Sequence, residues 1–325
     1  MKLKSLLGSS MDMMRNPKLF RFSLSKIHYK KKVAKNKYSS KEAIEKYDSL
    51  NHLFYKTFHS EIKKALLATK EIKPCNPKND ERIVFVFWGQ GEENMPSLIK
   101  DCYDSIKRHM PYRVILLTME NYKEYASLDS VIFESLSQGR ISMTHFSDLL
   151  RLKLLSEYDC IWCDLTLLFI KDVPAEVFDM EYYNIKNNHG FIDRTKFPFY
   201  PNLKIGNIYF IRSKSYKKPF LFIYHFYLNY LKKYHRMYEY FTTALLLEFF
   251  YHEDEEFHHL VDDLEENNQN CEVLLPLLNE KKQITKEELN TISKDVVFFK
   301  LNRHLNIQDN PGYEMILDLS KGSLK

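Results

Sequence analysis

Asp148, Arg151, Asp164 and Thr166 are the residues of this 325-residue chain whose types and spacing suit chemistry. Asp148 and Arg151 stand three apart in the helical pattern "HFSDLLRLKLLSEY" and so share a helix face. Alone, such a pair reads as a surface ion pair worth about 0.3–0.5 kcal/mol. Asp164, sixteen residues after Asp148, changes that reading. It places one carboxylate inside the apolar run "CIWCDLTLLFI", which reads as a buried strand. A buried ionised carboxylate is costly unless it is paired or holds a metal. A strand packed beside its preceding helix would bring the three groups to one pocket. One carboxylate and one hydroxyl, Asp164 and Thr166, are hard oxygen ligands suited to Mg2+ or Mn2+, with substrate phosphates completing the shell. Asp148 can accept from sugar hydroxyls, and Arg151 can donate to a sugar or phosphate oxygen. Trp88 offers a flat face for a nucleobase. Together the set suits a nucleotide-sugar.

The elements that must position these residues are legible in outline. Ile83 to Trp88 is a short β-rich apolar run ended by Gly89, and Met95 to Met110 carries apolar residues at helical spacing. Tyr112 to Leu117 is a second strand. A short helix near 119–126 and a weak strand near 131–133 follow. Thr144 then caps a helix running to about Tyr158, and the Asp164 run is the next strand. Alternating strands and helices imply an α/β fold with a parallel sheet, whose ligands sit beyond the carboxyl ends of the strands. Residues 181–215 read as loop-rich, with a strand at 208–211. Residues 217–252 read as two aromatic-rich helices, and Val296–Leu301 as a late strand.

Two stretches, "RIVFVFWGQGEENMPSLIKDCYDSIKRHMPYRVILLT" and "HFSDLLRLKLLSEYDCIWCDLTLLF", resemble the capsular polysaccharide synthesis proteins, bacterial relatives of glycosyltransferase family 32. The first strand with its Trp, the S-D-x-x-R helix and the I-W-x-D-x-T strand recur in that order. The resemblance implies a GT-A, Rossmann-like, nucleotide-sugar-binding fold over residues 80–325. It also implies retaining, metal-dependent transfer of a hexose from a nucleoside diphosphate sugar, UDP-linked by preference, to a growing surface or capsular glycan. Carried over, Trp88 would border the nucleobase, Asp148 and Arg151 would hold the donor sugar, and Asp164 and Thr166 would occupy the D-x-D positions on metal and diphosphate. Glu239 aligns with an acidic residue of the family's acceptor-side helix. Lys300, Asn302 and His304 in "FFKLNRH" would close over the diphosphate. Where the family usually has Gly-Gly before I-W-x-D, this chain has Asp159-Cys160. That departure keeps open a non-catalytic glycan-assembly partner that retained the fold.

Charge is unevenly placed. The chain carries a formal +5, yet residues 1–38 hold eleven Lys or Arg against one Asp, so the remainder is net acidic. An acidic body argues against a nucleic-acid surface. A basic segment interspersed with Leu, Met, Phe and Tyr suits an anionic membrane surface or a solvated tail, which also raises the alternative of a membrane-surface adaptor. Residues 1–75 read as a basic, mostly helical segment, with Ser39 and Glu42 forming a capping box at the start of a long helix to about Lys70. The turn-rich stretch 73–80 is the expected boundary. No run reaches the ~18 apolar residues of a membrane span. The start lacks the apolar core of a secretory signal, and five scattered cysteines make no disulfide framework. The expected location is cytoplasmic, peripheral on the inner membrane face, with a glycan or lipid-linked glycan as acceptor. Cys160-x-x-Cys163 lies on a strand and not at a helix start, so packing is favoured over redox chemistry. His258-His259 among acidic residues reads as a solvated helix.

Overall fold

The computed structural model describes residues 2–35, 37, 39–71, 82–186, 208–281 and 283–323. The central sheet is built from five strands: β1 (Ile83–Phe87), β2 (Arg113–Leu117), β3 (Cys160–Cys163), β5 (Tyr182–Asn184) and β6 (Phe210–Ser213). Their order is β2-β1-β3-β6-β5. β1 runs parallel to both β2 and β3, while β6 is antiparallel to β3 and β5 is antiparallel to β6. From β1 the chain crosses through α5 (Ser97–His109) to β2 on one side. It then returns through α6 (Ser130–Ser137) and α7 (Met143–Glu157) to β3 on the other. The direction of winding reverses between β1 and β3, which opens a crevice at their carboxyl ends.

β1 and β3 are buried on both faces, as their continuous apolar sequence requires, while β2 is the edge strand and is half-buried. Ile83 and Phe85 of β1 and Cys160 and Trp162 of β3 belong to one hydrophobic cluster. Val84 and Val86, with Ile161 and Cys163, belong to a second on the opposite face. The two cysteines of C-x-x-C therefore point into different cores. Both are free thiols pushed up by burial, Cys160 to about 12 and Cys163 well above its ordinary value. That is the signature of packing.

The first cluster is covered by α7, by α8 (Lys218–Leu231) and by helices of the N-terminal region, α2 (Pro17–Ala34), α3 (Ser40–Thr57) and α4 (His59–Glu71), with α1 (Lys2–Arg15) preceding them. The single helix expected over 39–70 is two, with Phe58 fully buried between them. Its expected capping box is present: Ser39 N donates to Glu42 Oε2 at 2.9 Å. Phe58 packs edge-on to Phe226 at 6.3 Å and lies 5.3 Å from the Tyr230 ring, both on α8. The N-terminal helices thus share a core with the sheet, although the boundary expected at 73–80 falls outside the described residues apart from its flanks. Much of the loop-rich stretch expected at 181–215 also lies outside them.

Two further expectations change. The segment expected as a strand at 131–133 lies in α6, which buries Ile132 and Ser135. The apolar run containing Asp164 is not one strand. β3 ends at Cys163, and β4 (Leu167–Phe169) pairs with β7 (Phe298–Lys300) in a separate antiparallel ribbon. The second cluster takes in this ribbon, α5 and the C-terminal helix α13 (Pro311–Ser320). The remaining helices are α9 (Thr242–Glu253), α10 (Glu255–Asp262), α11 (Leu274–Asn279) and α12 (Lys286–Ser293). No helix among the described residues is long and apolar enough to cross a membrane.

Candidate active site

Asp164 sits in the turn that carries the chain out of the main sheet. Its N–H donates to Tyr209 O at 2.8 Å, and its carbonyl accepts from Leu167 N at 3.2 Å. This turn places the carboxylate at the crevice beyond β3. Oδ1 accepts two hydrogen bonds, from Arg151 Nη2 and from the Trp162 indole N–H, each at 2.8 Å. Trp162 is two residues back on the same strand face, so strand alternation brings its donor to the acid.

Arg151 is held through both terminal nitrogens, while its buried Nε has no hydrogen-bond partner among the described residues. Its Nη1 donates to Ile208 O at 2.8 Å, and its guanidinium lies 4.9 Å from the centre of the Trp162 ring. Asp148 Oδ1 stands 3.5 Å from Nη2. One guanidinium therefore ties the α7 carboxylate to the β3 carboxylate, with an aromatic face stacked against it. Burial pushes the Asp148 carboxyl up to about 6; Arg151 works against that shift and Asp164 adds to it.

α7 begins one turn upstream, and its cap is Ser142 and not Thr144. In this capping box His145 takes the usual Glu position. Ser142 N–H donates to His145 Nδ1 at 3.3 Å. Burial lowers the His145 pKa, so the ring is neutral at pH 7 with its proton on Nε2. That Nε2 is buried without a hydrogen-bond partner among the described residues. Its ring centre lies 6.4 Å from that of Tyr240, an exposed aromatic whose phenol is raised by desolvation and by the charges of Asp148 and Asp164. His145 and Tyr240 therefore border the carboxylate pair. Only the adjacency of "HFSD" hinted at His145; nothing local marked Trp162 or Tyr240 as site residues.

Lys300 arrives from β7. Its Nζ is 3.8 Å from Asp164 Oδ2, hydrogen-bonds Thr166 Oγ1, and lies over the Tyr209 ring at 5.3 Å. Thr166 is held in turn, its carbonyl accepting from Leu301 N at 2.8 Å. Thr166 is in a turn and not on a strand, yet Lys300 draws it and Asp164 to the same spot. His304 is exposed nearby in sequence, its Nε2 3.2 Å from Arg303 Nε and its backbone N–H donating to Asn302 Oδ1 at 2.9 Å.

Two expected site residues stand apart. Trp88 follows β1 at the crevice end of the sheet, its indole N–H donating to Asn94 O at 3.3 Å. Glu239 is buried, its carboxylate held by Lys26 Nζ at 2.7 Å and by Phe241 N at 3.1 Å. Among the described residues no hydrogen bond or ion pair joins either to Asp148, Arg151 or Asp164. Asp159, in place of the expected glycine, is at the opposite end of β3 from Asp164. It forms an ion pair with the buried Arg212, whose Nη2 also donates to Phe178 O at 2.8 Å. The departure is thus absorbed far from the carboxylate pair.

The expected metal ligands, Asp164 and Thr166, do not fit a resident divalent ion as they stand. Oδ1 of Asp164 is spent on two protein donors, and the oxygens left over both face the Lys300 ammonium. No group of three or more His, Cys, Asp or Glu side chains suited to a metal ion occurs among the described residues. Mg2+ favours several oxygen ligands, and an ammonium between its two protein ligands would oppose its charge.

A family model, capsular polysaccharide synthesis protein, matches residues 25–318. The chain therefore belongs to the capsular polysaccharide synthesis protein family, which associates it with capsule biosynthesis. Neither curated proteins nor solved structures gave a match.

Proposed function

We propose that this protein is a glycosyltransferase of GT-A type that moves a hexose from a nucleoside diphosphate donor, UDP-linked by preference, to a growing capsular glycan or its lipid-linked precursor. The observation that carries the reading is the convergence of Asp148, Arg151 and Asp164 on one crevice at the switch point of the sheet. Arg151, buried and shared between the two acids, positions them. Asp148 and the free side of Asp164 accept from donor sugar hydroxyls. Lys300 supplies positive charge for the diphosphate that leaves, with Arg303 and His304 on the adjoining exposed turn. Neutral His145, with its unpaired Nε2 donor, and Tyr240 shape the sugar pocket. Retaining transfer enters the proposal through the S-D-x-x-R and D-x-T pattern, which resembles that of glycosyltransferase family 32.

Purified protein incubated with a panel of UDP-sugars and other nucleotide-sugars tests the proposal. The expected result is release of the nucleoside diphosphate from one donor and its loss in Asp164→Asn. Silence across the panel, together with no binding of any nucleoside diphosphate, overturns it.

A further inference from the structure

α2 has two unlike faces. Inward, Leu19, Phe22 and Tyr29 are buried, and Lys26 is tied to Glu239. Outward, Phe20, Leu24 and Ile27 are about half exposed, at 49%, 50% and 51%. Their spacing of four and three residues places them in one line along the helix. α1 adds Met11 and Met14, at 48% and 78%. Five of the eight large apolar side chains that are exposed among the described residues therefore lie on these two consecutive helices. A half-exposed Leu or Phe alone is ordinary; a line of them is not.

The exposed charge carried by these two helices has one sign. Arg15, Lys18, Arg21, Lys30 and Lys31 are exposed. The single acid of residues 1–38, Asp12, is buried; it accepts from His235 N at 2.8 Å and from Tyr238 Oη at 3.0 Å. The outer surface of α1 and α2 is thus apolar along its crest and cationic beside it, with no carboxylate to repel an anion. Long Lys and Arg stems suit this arrangement, because their charges reach headgroups while the apolar crest enters the acyl boundary.

We infer that α1 and α2 seat the protein on an anionic lipid bilayer, with the line Phe20–Leu24–Ile27 inserted at the interface and the flanking cations on the headgroups. The inference goes beyond the proposed activity and stands without it. Its consequence for the fold is direct. The inward face of α2 lines a cleft of about 480 Å³, part of it open to solvent, with Tyr47 and Leu50 of α3 and with Tyr240. Tyr240 also borders the carboxylate pair, so the lipid-seated helix and the candidate site share this one aromatic as a neighbour.

Sedimentation of the full chain with vesicles tests this. Phosphatidylcholine vesicles containing about 30% phosphatidylglycerol should bind it, and pure phosphatidylcholine at least roughly tenfold less. The variant Phe20→Gln/Leu24→Gln/Ile27→Gln, altered only at exposed positions, should keep the parent melting temperature and lose about tenfold or more in vesicle binding. Arg21→Gln/Lys31→Gln should lose a comparable factor on the anionic vesicles and show a weaker dependence on salt. Absence of binding by the parent chain, or undiminished binding by the apolar triple variant, overturns the inference. So does a parent dimer, by sedimentation velocity, that the same variant dissolves, since the crest would then be a protein interface.

Discussion

The indole N–H of Trp162 and Oδ1 of Asp164 are 2.8 Å apart, and that same oxygen receives Arg151. The acid is thereby held on one side by its own strand and on the other by the preceding helix. Trp162→Phe removes the donor and also shrinks the buried ring, so the lost hydrogen bond sets a lower bound on its cost. It should cost at least about 1.5–3 kcal/mol of stability, the range for a bond to a charged group, measured by urea denaturation. Arg151→Ala should cost more, about 3–5 kcal/mol, because it strands two partly buried carboxylates. If both variants unfold at the parent's urea midpoint, the clamp is energetically idle.

The Asp148 carboxyl, raised by burial to about 6, makes stability depend on pH in a definite direction. The folded state binds this proton more tightly than the unfolded chain does. The stabilisation is therefore fully present below about 4 and is lost as pH rises through about 6. Asp148→Asn abolishes the titration. Relative to the parent, the variant should gain roughly 2–3 kcal/mol between pH 4 and pH 7, read from paired denaturation curves. Sugar-hydroxyl recognition needs the ionised form, so donor turnover should fall on the acid side of about pH 6.

Lys300 stands between Asp164 Oδ2 and Thr166 Oγ1, and this positions it to do the electrostatic work expected of a metal. Donor turnover should survive a chelator in excess. Lys300→Met should reduce turnover by about 100-fold, in the range seen for loss of one charge-stabilising donor. It should also free both oxygens, so that Mn2+ binding, followed by electron paramagnetic resonance, appears or strengthens in the variant. Complete loss of parent activity on chelation, restored by Mn2+, would falsify this assignment.

His145 presents a buried, unpaired Nε2 donor beside Tyr240. His145→Ala removes both the cap acceptor and this donor, whereas His145→Gln keeps a side-chain acceptor for the Ser142 N–H. The Ala variant should lose about 1 kcal/mol of stability and the Gln variant less. Both should weaken donor binding, measured by calorimetry, by about tenfold. Equal donor affinity in all three proteins would leave His145 a cap alone.

The parallel core of this fold was legible because its signals are local. β1, α5, β2 and α7 follow from hydrophobic periodicity over short windows. So did the meeting of Asp148, Arg151 and Asp164, since a helix and the strand after it must pack together. The break after Cys163 was legible in part: Asp164, Leu165 and Thr166 read as lying near a strand end, but whether the strand resumed was open. Leu167, Leu168 and Phe169 continue the apolar run, and only pairing with β7, far along the chain, pulls them into another ribbon. Val131, Ile132 and Phe133 are strand formers by propensity, yet Ile132 and Ser135 pack as one turn of helix; burial overrode propensity there. Lys300 was expected at the diphosphate, but its hold on Thr166 depends on a contact no spacing rule encodes. The second cap residue, His145, escaped notice because the box usually carries Glu or Gln at that position.

The ribbon of β4 and β7 also sets an order of events. Asp148, Arg151 and Asp164 are made early in synthesis, while Lys300 and the strand that braces Thr166 come more than a hundred residues later. Until that strand docks, the turn at 164–166 lacks both its brace and its cation. A nascent or C-terminally clipped chain would carry the recognition acids without the charge that completes the pocket. Competence is thereby switched on late and as a unit, so a partly made chain should be silent and not weakly active.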